Sequence, residues 1–130
     1  MKRLSINSII EAQNFIRDKN DISSVSLRDI KRFCILCDFF VEYYNKNKKL
    51  FKNINQEEFP DEFEFRDYYL NLNKNDIYKN SIKLSLYTCY YLRIRTMELR
   101  QEFSKKMNSI FGDEFLEIAK QEQQYIAKNL

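Results

Sequence analysis

The segment with the clearest chemical potential is Ser24–Phe33, SVSLRDIKRF, which combines a helix start with a cation. Ser26 is a favourable N-cap, because its hydroxyl can accept a hydrogen bond from an otherwise unpaired amide of the first turn. Asp29 follows three residues later and can reach back as a shorter version of the capping-box glutamate. Arg28 then projects near the positive end of the helix, a place that favours anions. Local chemistry favours an ordinary capped helix with a solvated arginine over the other interpretation, a phosphate sensor.

Several classes of catalytic site are excluded by the residues that the chain lacks. Because it has no histidine, Ser–His and Cys–His nucleophile pairs and histidine zinc ligands cannot form within it. Its single glycine, Gly112, rules out a glycine-rich phosphate loop. The acidic run at 57–64 lacks the spacing of a metal-binding loop, so we predict no metal site. Another segment must hold most of any nucleotide that the chain meets.

The cysteines predict the compartment rather than a reaction. Three cysteines, an odd number, are typical of reduced thiols in a cytosolic or nuclear setting, and we predict a cytoplasmic location. Cys34 and Cys37 have the Cys-x-x-Cys spacing of some redox and zinc sites, but no second pair accompanies them. Both fall on the apolar face of a long predicted helix, so we interpret them as small buried core residues.

The composition predicts an all-α protein with a single domain over residues 1–130. Hydrophobic residues make up 44% of the 130, enough for a real core. One glycine and one proline argue against a turn-rich β protein and favour long helices. A net charge of +3 gives no strong case for nucleic acid. The chain contains no apolar run of about 18 residues, so we expect no contact with a membrane.

Apolar residues at helical spacing predict a bundle of about five helices. The first four predicted helices cover residues 5–18, 27–46, 77–95 and 97–111. The helix at 77–95 is apolar over most of its circumference, which is typical of a central element. On such a helix we interpret the tyrosine and arginine cluster at 87–95 as core tyrosines with paired or solvated arginines, rather than as a nucleic-acid site.

Local signals mark the ends of these helices. Asp76 and Thr96 are predicted N-caps, and Asp113 is predicted to open the fifth helix. Gly112 is a natural stop for the helix before it. Residues 45–75 carry a basic run and then an acidic one, which predicts an irregular charged loop. Within that loop, the aromatic residues at 63–72 can form a short helix that docks on the bundle.

Four stretches of the chain resemble, in the same order, one region of the mysterin-type giant E3 ubiquitin ligases, which contain a dynein-like row of AAA+ units. The main one is IIEAQNFIRDKNDISSVSLRDIKRFCILCDFFVEYY at 9–44, and a second, the pattern SIIEAQNFIR at 8–17, overlaps its start. The others are SLYTCYYLRIRTMELRQEFSKKMNSIF at 85–111 and DEFLEIAKQEQQYIAKNL at 113–130. Together they cover most of the chain outside 45–75.

The resemblance implies an AAA+ helical lid at 1–111 and a linker-like helix at 112–130 that leads to the next unit. AAA+ lids of this kind carry a Ser-x-Arg turn at a helix start as a second sensor. On this sequence the sensor role falls on Arg28, supported by Ser26 and Asp29. The implied partners are neighbouring AAA+ units of the parent protein, where ATP and magnesium would be bound, and the chain alone is expected to bind no cofactor.

The chain departs from the family in lacking a phosphate loop, an acidic metal-binding strand motif and a zinc-rich ligase module. We therefore predict that it is not an enzyme on its own. The predicted function is that of a non-catalytic lid fragment, which couples nucleotide state to lid motion in an ATPase and E3 ligase. The alternative is a stand-alone helical module that binds a protein through its aromatic faces and has no nucleotide role.

Overall fold

The computed structural model of the chain describes residues 2–19, 26–53, 63–112 and 114–129. Of these residues 92% are helical, and none of them lies in a strand. Six α-helices follow one another: α1 (Lys2–Lys19), α2 (Leu27–Asn53), α3 (Phe63–Asn71), α4 (Lys74–Cys89), α5 (Met97–Phe111) and α6 (Phe115–Asn129). The all-α bundle is confirmed, with six α-helices in the described part rather than about five.

Helix α4 is the central element, as its apolar circumference predicts. All of residues 80–87 are buried, and the helix packs against α1, α2 and α6. Its buried serines need hydrogen-bond partners, because an unpaired hydroxyl in a core is costly. Ser81 Oγ donates to the Ile77 carbonyl at 2.7 Å, and Ser85 Oγ donates to the Ser81 carbonyl at 2.8 Å. The buried serines of α4 are thus paired within the helix itself.

The apolar core has two parts, which share α2, α4 and α6. The larger part joins these three helices to α1 and α5. At its centre Phe103 meets both Phe15 and Phe115 edge to face, with ring centroids 5.4 Å and 5.9 Å apart. The smaller part joins α2, α3, α4 and the end of α6, and there the rings of Phe51 and Tyr69 stack at 5.2 Å.

The prediction of an irregular loop at 45–75 is wrong for two stretches. Helix α2 continues to Asn53, because Phe51, which is 1% exposed, packs on Tyr69 of α3. Arg66 Nε also donates to the Phe51 carbonyl at 3.2 Å, near a helix end where carbonyls lack partners within the helix. The short helix expected within 63–72 is confirmed as α3. Residues 54–62, with most of the acidic run, lie outside the described residues.

The predicted start of α4 is wrong by a few residues. The N-cap is Asn73 rather than Asp76, and Asp76 is the third residue of the helix. The Asp76 amide donates to Asn73 Oδ1 at 2.8 Å, and the Asn73 amide donates to Asp76 Oδ2 at 3.2 Å. This reciprocal capping box begins the helix one turn earlier than Asp76 alone would.

The predicted end of α4 is also wrong, since the helix stops at Cys89 and not at Arg95. A 3-10 turn, Tyr91–Arg93, follows it and leads to extended backbone at Ile94, which is fully buried. The tyrosines at 87, 90 and 91 are buried, which confirms their interpretation as core residues. Arg95 is exposed.

The ends of α5 are as predicted, and α6 begins in a different way. Thr96 Oγ1 accepts from the Leu99 amide at 3.2 Å. Gly112 ends the helix in the left-handed conformation, with φ +74°. Asp113 lies outside the described residues, and the Phe115 amide of α6 donates to Asn108 Oδ1 of α5 at 2.7 Å. A side chain of one helix therefore caps the next.

The segment that the resemblance assigns to a link between units packs as part of the bundle. Phe115 and Ala119 of α6 are fully buried in the larger core, and Tyr125 and Ile126 pack against the smaller one. No helix in the ranges that the structure describes is both long enough and apolar enough to span a membrane.

The core interpretation of Cys34 is wrong, because that side chain is exposed on α2. Cys37 is half-buried and packs against the larger core, where burial raises the pKa of its thiol to about 12. The reason lies in the helix period: Cys34 follows the buried Phe33 directly and so turns away from the core, whereas Cys37 lies one turn after Phe33 on the same side.

Replacing Gly112 by alanine should lower the free energy of unfolding by about 1 kcal/mol, because a residue with a Cβ is strained at positive φ. No atom lies within 4 Å of the added Cβ, so the cost is conformational rather than steric. Urea denaturation measures it, with the exposed helical change Ser109→Ala as control. Equal midpoints for G112A and the parent chain would contradict the left-handed cap.

Candidate functional site at the start of the second helix

The predicted cap at the start of α2 is present. The Arg28 amide donates to Ser26 Oγ at 3.2 Å, and the Ser26 amide donates to Asp29 Oδ2 at 2.8 Å. The Asp29 amide adds a tight turn by donating to the Ser26 carbonyl at 3.1 Å. Serine and aspartate therefore hold the first turn from both sides, and the backbone that carries Arg28 is fixed between them.

Asp29 has a second role, which joins α2 to the turn after α4. Its other oxygen, Oδ1, accepts from Arg93 Nη1 at 2.9 Å. The aspartate is 9% exposed and the arginine is half-buried, so water screens this ion pair less than a surface pair. Gln13 Nε2 of α1 also donates to the Ser26 carbonyl, at 3.3 Å. The start of α2 is a junction of three separate parts of the chain.

Arg28 itself points away from this junction. Its side chain is exposed, and within the described ranges no hydrogen bond or ion pair engages its guanidinium. The three predicted residues thus share one turn, but only Ser26 and Asp29 act inside the protein. Arg32, one turn further along the same side of α2, is exposed as well and adds a second positive charge.

The titratable side chains behind this junction are unreactive near neutral pH. Burial, reinforced by the Asp29 carboxylate, raises the pKa of Tyr90, and burial raises the pKa of Cys89 to about 11. Both therefore stay protonated near neutral pH and offer neither a base nor a nucleophile. The arrangement can attract and hold an anion at Arg28, but it contains no pair of groups suited to proton transfer.

A buried carboxylate that the sequence patterns did not single out lies where α2, α4 and α6 meet. Glu122 is 3% exposed, and Tyr44 Oη donates to its Oε2 at 2.5 Å. Asn80 Nδ2 donates to its Oε1 at 3.3 Å. Burial raises the pKa of Glu122 to about 7, and the Tyr44 hydrogen bond acts in the opposite direction. The sequence feature that could have revealed this carboxylate is its helical spacing from Phe115 and Ala119, which places Glu122 on the apolar face of α6.

A groove of about 810 Å³ lies between α2 and the first half of α4. Its apolar walls include Phe33, Val41, Tyr78 and Ile82, and both residues of the Cys-x-x-Cys pair also line it. None of Ser26, Arg28 and Asp29 lines it, so it is separate from the predicted site. Among the described residues, no group of three or more cysteine, aspartate or glutamate side chains could hold a metal ion.

No protein-family model matches this sequence, and no curated protein or solved structure is significantly similar to it.

The change Asp29→Asn should keep the cap but remove the charge that Arg93 pairs with, and so lower the free energy of unfolding by about 1 to 2 kcal/mol. Asp29→Ala removes the cap as well and should lower the free energy of unfolding by about 1 kcal/mol more than Asp29→Asn does. Chemical denaturation measures both, with the exposed Asp38→Asn on α2 as control. If D29N and D38N unfold at the same denaturant concentration, the ion pair has no role in stability.

The buried Glu122 predicts a pH dependence. In the unfolded chain its pKa returns towards the ordinary value of 4.5, whereas in the folded chain it is about 7. The native state therefore binds the proton more tightly, and the stability from this group is full below pH 4.5 and is lost as pH rises to 7. Glutamine does not titrate, so we expect the free energy of unfolding of Glu122→Gln, relative to that of the parent chain, to increase by about 2 kcal/mol from pH 5 to pH 7.5.

Urea titrations at the two pH values measure this difference, and the exposed Glu98→Gln in α5 is the matched control, expected to show no such gain. A constant difference between E122Q and the parent chain across this range would show that Glu122 titrates normally.

Proposed function

We propose that this chain is a non-catalytic helical lid of a mysterin-like AAA+ ATPase and E3 ubiquitin ligase, and that Arg28 is its nucleotide-sensing residue. One observation carries the proposal: Arg28 is exposed on a helix start whose backbone Ser26 and Asp29 hold. The positive end of a helix and a guanidinium together favour a phosphate group. The ordered family resemblance supplies the AAA+ setting.

In this proposal the parent unit holds ATP and magnesium, and the chain supplies one contact to the nucleotide. The Arg28 guanidinium donates two parallel hydrogen bonds to the terminal phosphate, which ADP lacks. Loss of that phosphate on hydrolysis releases Arg28. Because Asp29 ties the same turn to Arg93, a displacement of Arg28 moves α2 together with the 3-10 turn that follows α4. The neighbouring AAA+ units are the partners that receive this motion.

A second candidate function is a stand-alone helical module that binds another protein and has no nucleotide role. Exposed apolar side chains on α2 favour it, since Ile35 is 68% exposed and Phe39 is 53% exposed. For either function we propose a cytoplasmic location, because all three cysteines are free thiols.

The lid proposal predicts that Arg28→Ala in the parent protein slows the ATP-dependent step by about tenfold or more, since the phosphate contact is lost. Arg28→Lys should restore part of the rate, because it keeps the charge without the two-pronged geometry. ATP turnover measures the effect, with the exposed Arg3→Ala on α1 as the matched control. Unchanged turnover in R28A would remove Arg28 from the sensor role.

Two further observations test these proposals. Calorimetry on the isolated chain should show no ATP binding, and a micromolar Kd would contradict a lid that depends on another segment for the nucleotide. The coding sequence on both sides of the chain distinguishes lid from stand-alone module. A phosphate loop soon after Leu130 supports the lid, and stop codons on both sides support the module.

A further inference from the structure

The outer side of α2 carries large apolar side chains that the rest of the bundle leaves uncovered. Ile35, Phe39 and Leu50 are 68%, 53% and 55% exposed. Single exposed apolar residues are ordinary on a protein surface, but a row of them along one helix marks an interaction surface. Helix α2 is continuous from Leu27 to Asn53, so the row lies on one rigid element.

The spacing on this side of α2 is that of a coiled-coil seam. Steps of four and three residues alternate through six positions: Arg32, Leu36, Phe39, Tyr43, Lys46 and Leu50. We call these six residues the α2 seam. Alternating steps keep side chains along one line that a second helix can follow, over a length of about 27 Å. The rings of Phe39 and Tyr43 already stack at 6.4 Å, and Leu36 and Tyr43 are half-buried. Leu36 also packs against the larger core, so the exposed apolar side chains of the seam are Phe39 and Leu50.

The charged members of the seam are both cations. Arg32 lies near one end and Lys46 near the other, and both are exposed. The exposed acidic residues of α2, Asp38 and Glu42, fall outside the six positions. Glu42 contacts Lys46 at 3.4 Å, but the two side chains are 69% and 76% exposed, and pairs of that kind contribute little. Lys46 can thus exchange this contact for an acidic group on a partner.

We propose that the α2 seam binds an acidic amphipathic helix of another protein. The partner helix presents apolar residues at heptad spacing to Leu36, Phe39 and Leu50. Aspartate or glutamate on its flanks pairs with Arg32 and Lys46. The apolar centre supplies the binding energy, and the cations select the partner, since charges at such an interface determine specificity more than affinity.

The same charges disfavour a second copy of this chain as the occupant. A parallel pair of seams sets Arg32 against Arg32 and Lys46 against Lys46. An antiparallel pair centred between Phe39 and Tyr43 sets Arg32 against Leu50 and Lys46 against Leu36. Each arrangement brings Arg32 and Lys46 into the interface with no acidic residue of the other copy's seam opposite them, which is costly.

This inference names the partner class for the interaction module proposed above and rests on that function, but a lid could carry the same seam. Its test does not involve nucleotide or Arg28. If the peptide experiment below fails, the sensor role of Arg28 is still decided by the turnover experiment. If a helix binds elsewhere on the chain, the interaction module stands but the α2 seam is not its binding surface.

The probe is a helical peptide of about three heptads with Leu at positions a and d and Glu at e and g. Its matched control has Lys at every Glu position. With the full chain at low salt, fluorescence anisotropy should show binding of the acidic peptide and at least tenfold weaker binding of the basic one. Phe39→Ala should weaken binding of the acidic peptide at least tenfold, whereas Ile6→Ala, a change of a similarly exposed apolar residue on α1, should leave the binding unchanged.

A charge reversal makes the test sharper. The double change Arg32→Glu with Lys46→Glu should transfer the preference to the basic peptide. The exposed pair Lys105→Glu with Lys120→Glu, on α5 and α6, keeps the same net charge as that variant and should retain the preference for the acidic one. Because all of these side chains are exposed, the variants should fold, and urea midpoints equal to that of the parent chain verify this.

The proposal is overturned if the acidic peptide does not bind, if both peptides bind equally, or if F39A binds as the parent chain does. Sedimentation gives one more decisive result. A dimer that forms at the assay concentration and dissociates in F39A would show that a second copy covers the seam, and the acidic partner would then be wrong.

Discussion

Burial of α4 on nearly every side is the constraint on which the rest of the structure depends. A helix with residues 80–87 all buried must be surrounded by apolar faces, so α1, α2 and α6 each turn one stripe towards it. The same burial requires that its polar side chains find partners. The serines of α4 bond within the helix, and Asn80 bonds to Glu122 of α6. The two parts of the core are the two sides of this one helix, with Leu86 in one and Leu84 in the other.

Because one face of α2 has to cover α4, only the rest of its surface remains available for function. The inner face of α2 is used by Phe33, Tyr44 and Phe51, all nearly or fully buried. Its outer side and its first turn are not needed to cover α4, and both proposed functions draw on them. Arg28 occupies the first turn, and the α2 seam occupies the outer side. The two surfaces lie on one continuous helix.

Periodicity and capping chemistry predict most of this fold, because both are local properties of the sequence. They located α1, α5, the start of α2 and the central place of α4. The errors arise where a distant residue decides. Helix α2 extends past residue 46 because Phe51 meets Tyr69 of another helix, which no local pattern reports. The prediction of Asp76 as the N-cap was wrong for another reason, since Asp76 and the actual N-cap, Asn73, belong to one capping box and either residue type can begin a helix.

In the candidate site, too, the local interactions could be predicted from the sequence and the long-range ones could not. The Ser26 and Asp29 cap could be predicted from four residues, whereas the bond from Arg93 to Asp29 joins positions 64 apart, and the bond from Tyr44 to Glu122 joins positions 78 apart. These two bonds have a consequence for biosynthesis. Asp29 leaves the ribosome before Arg93 has been made, and Tyr44 leaves it before Glu122 has been made, so neither hydrogen bond exists while the first half of the chain emerges. The amino-terminal helices must therefore wait for the carboxy-terminal ones, and the apolar face of α2 is exposed to other nascent chains and to chaperones in that interval.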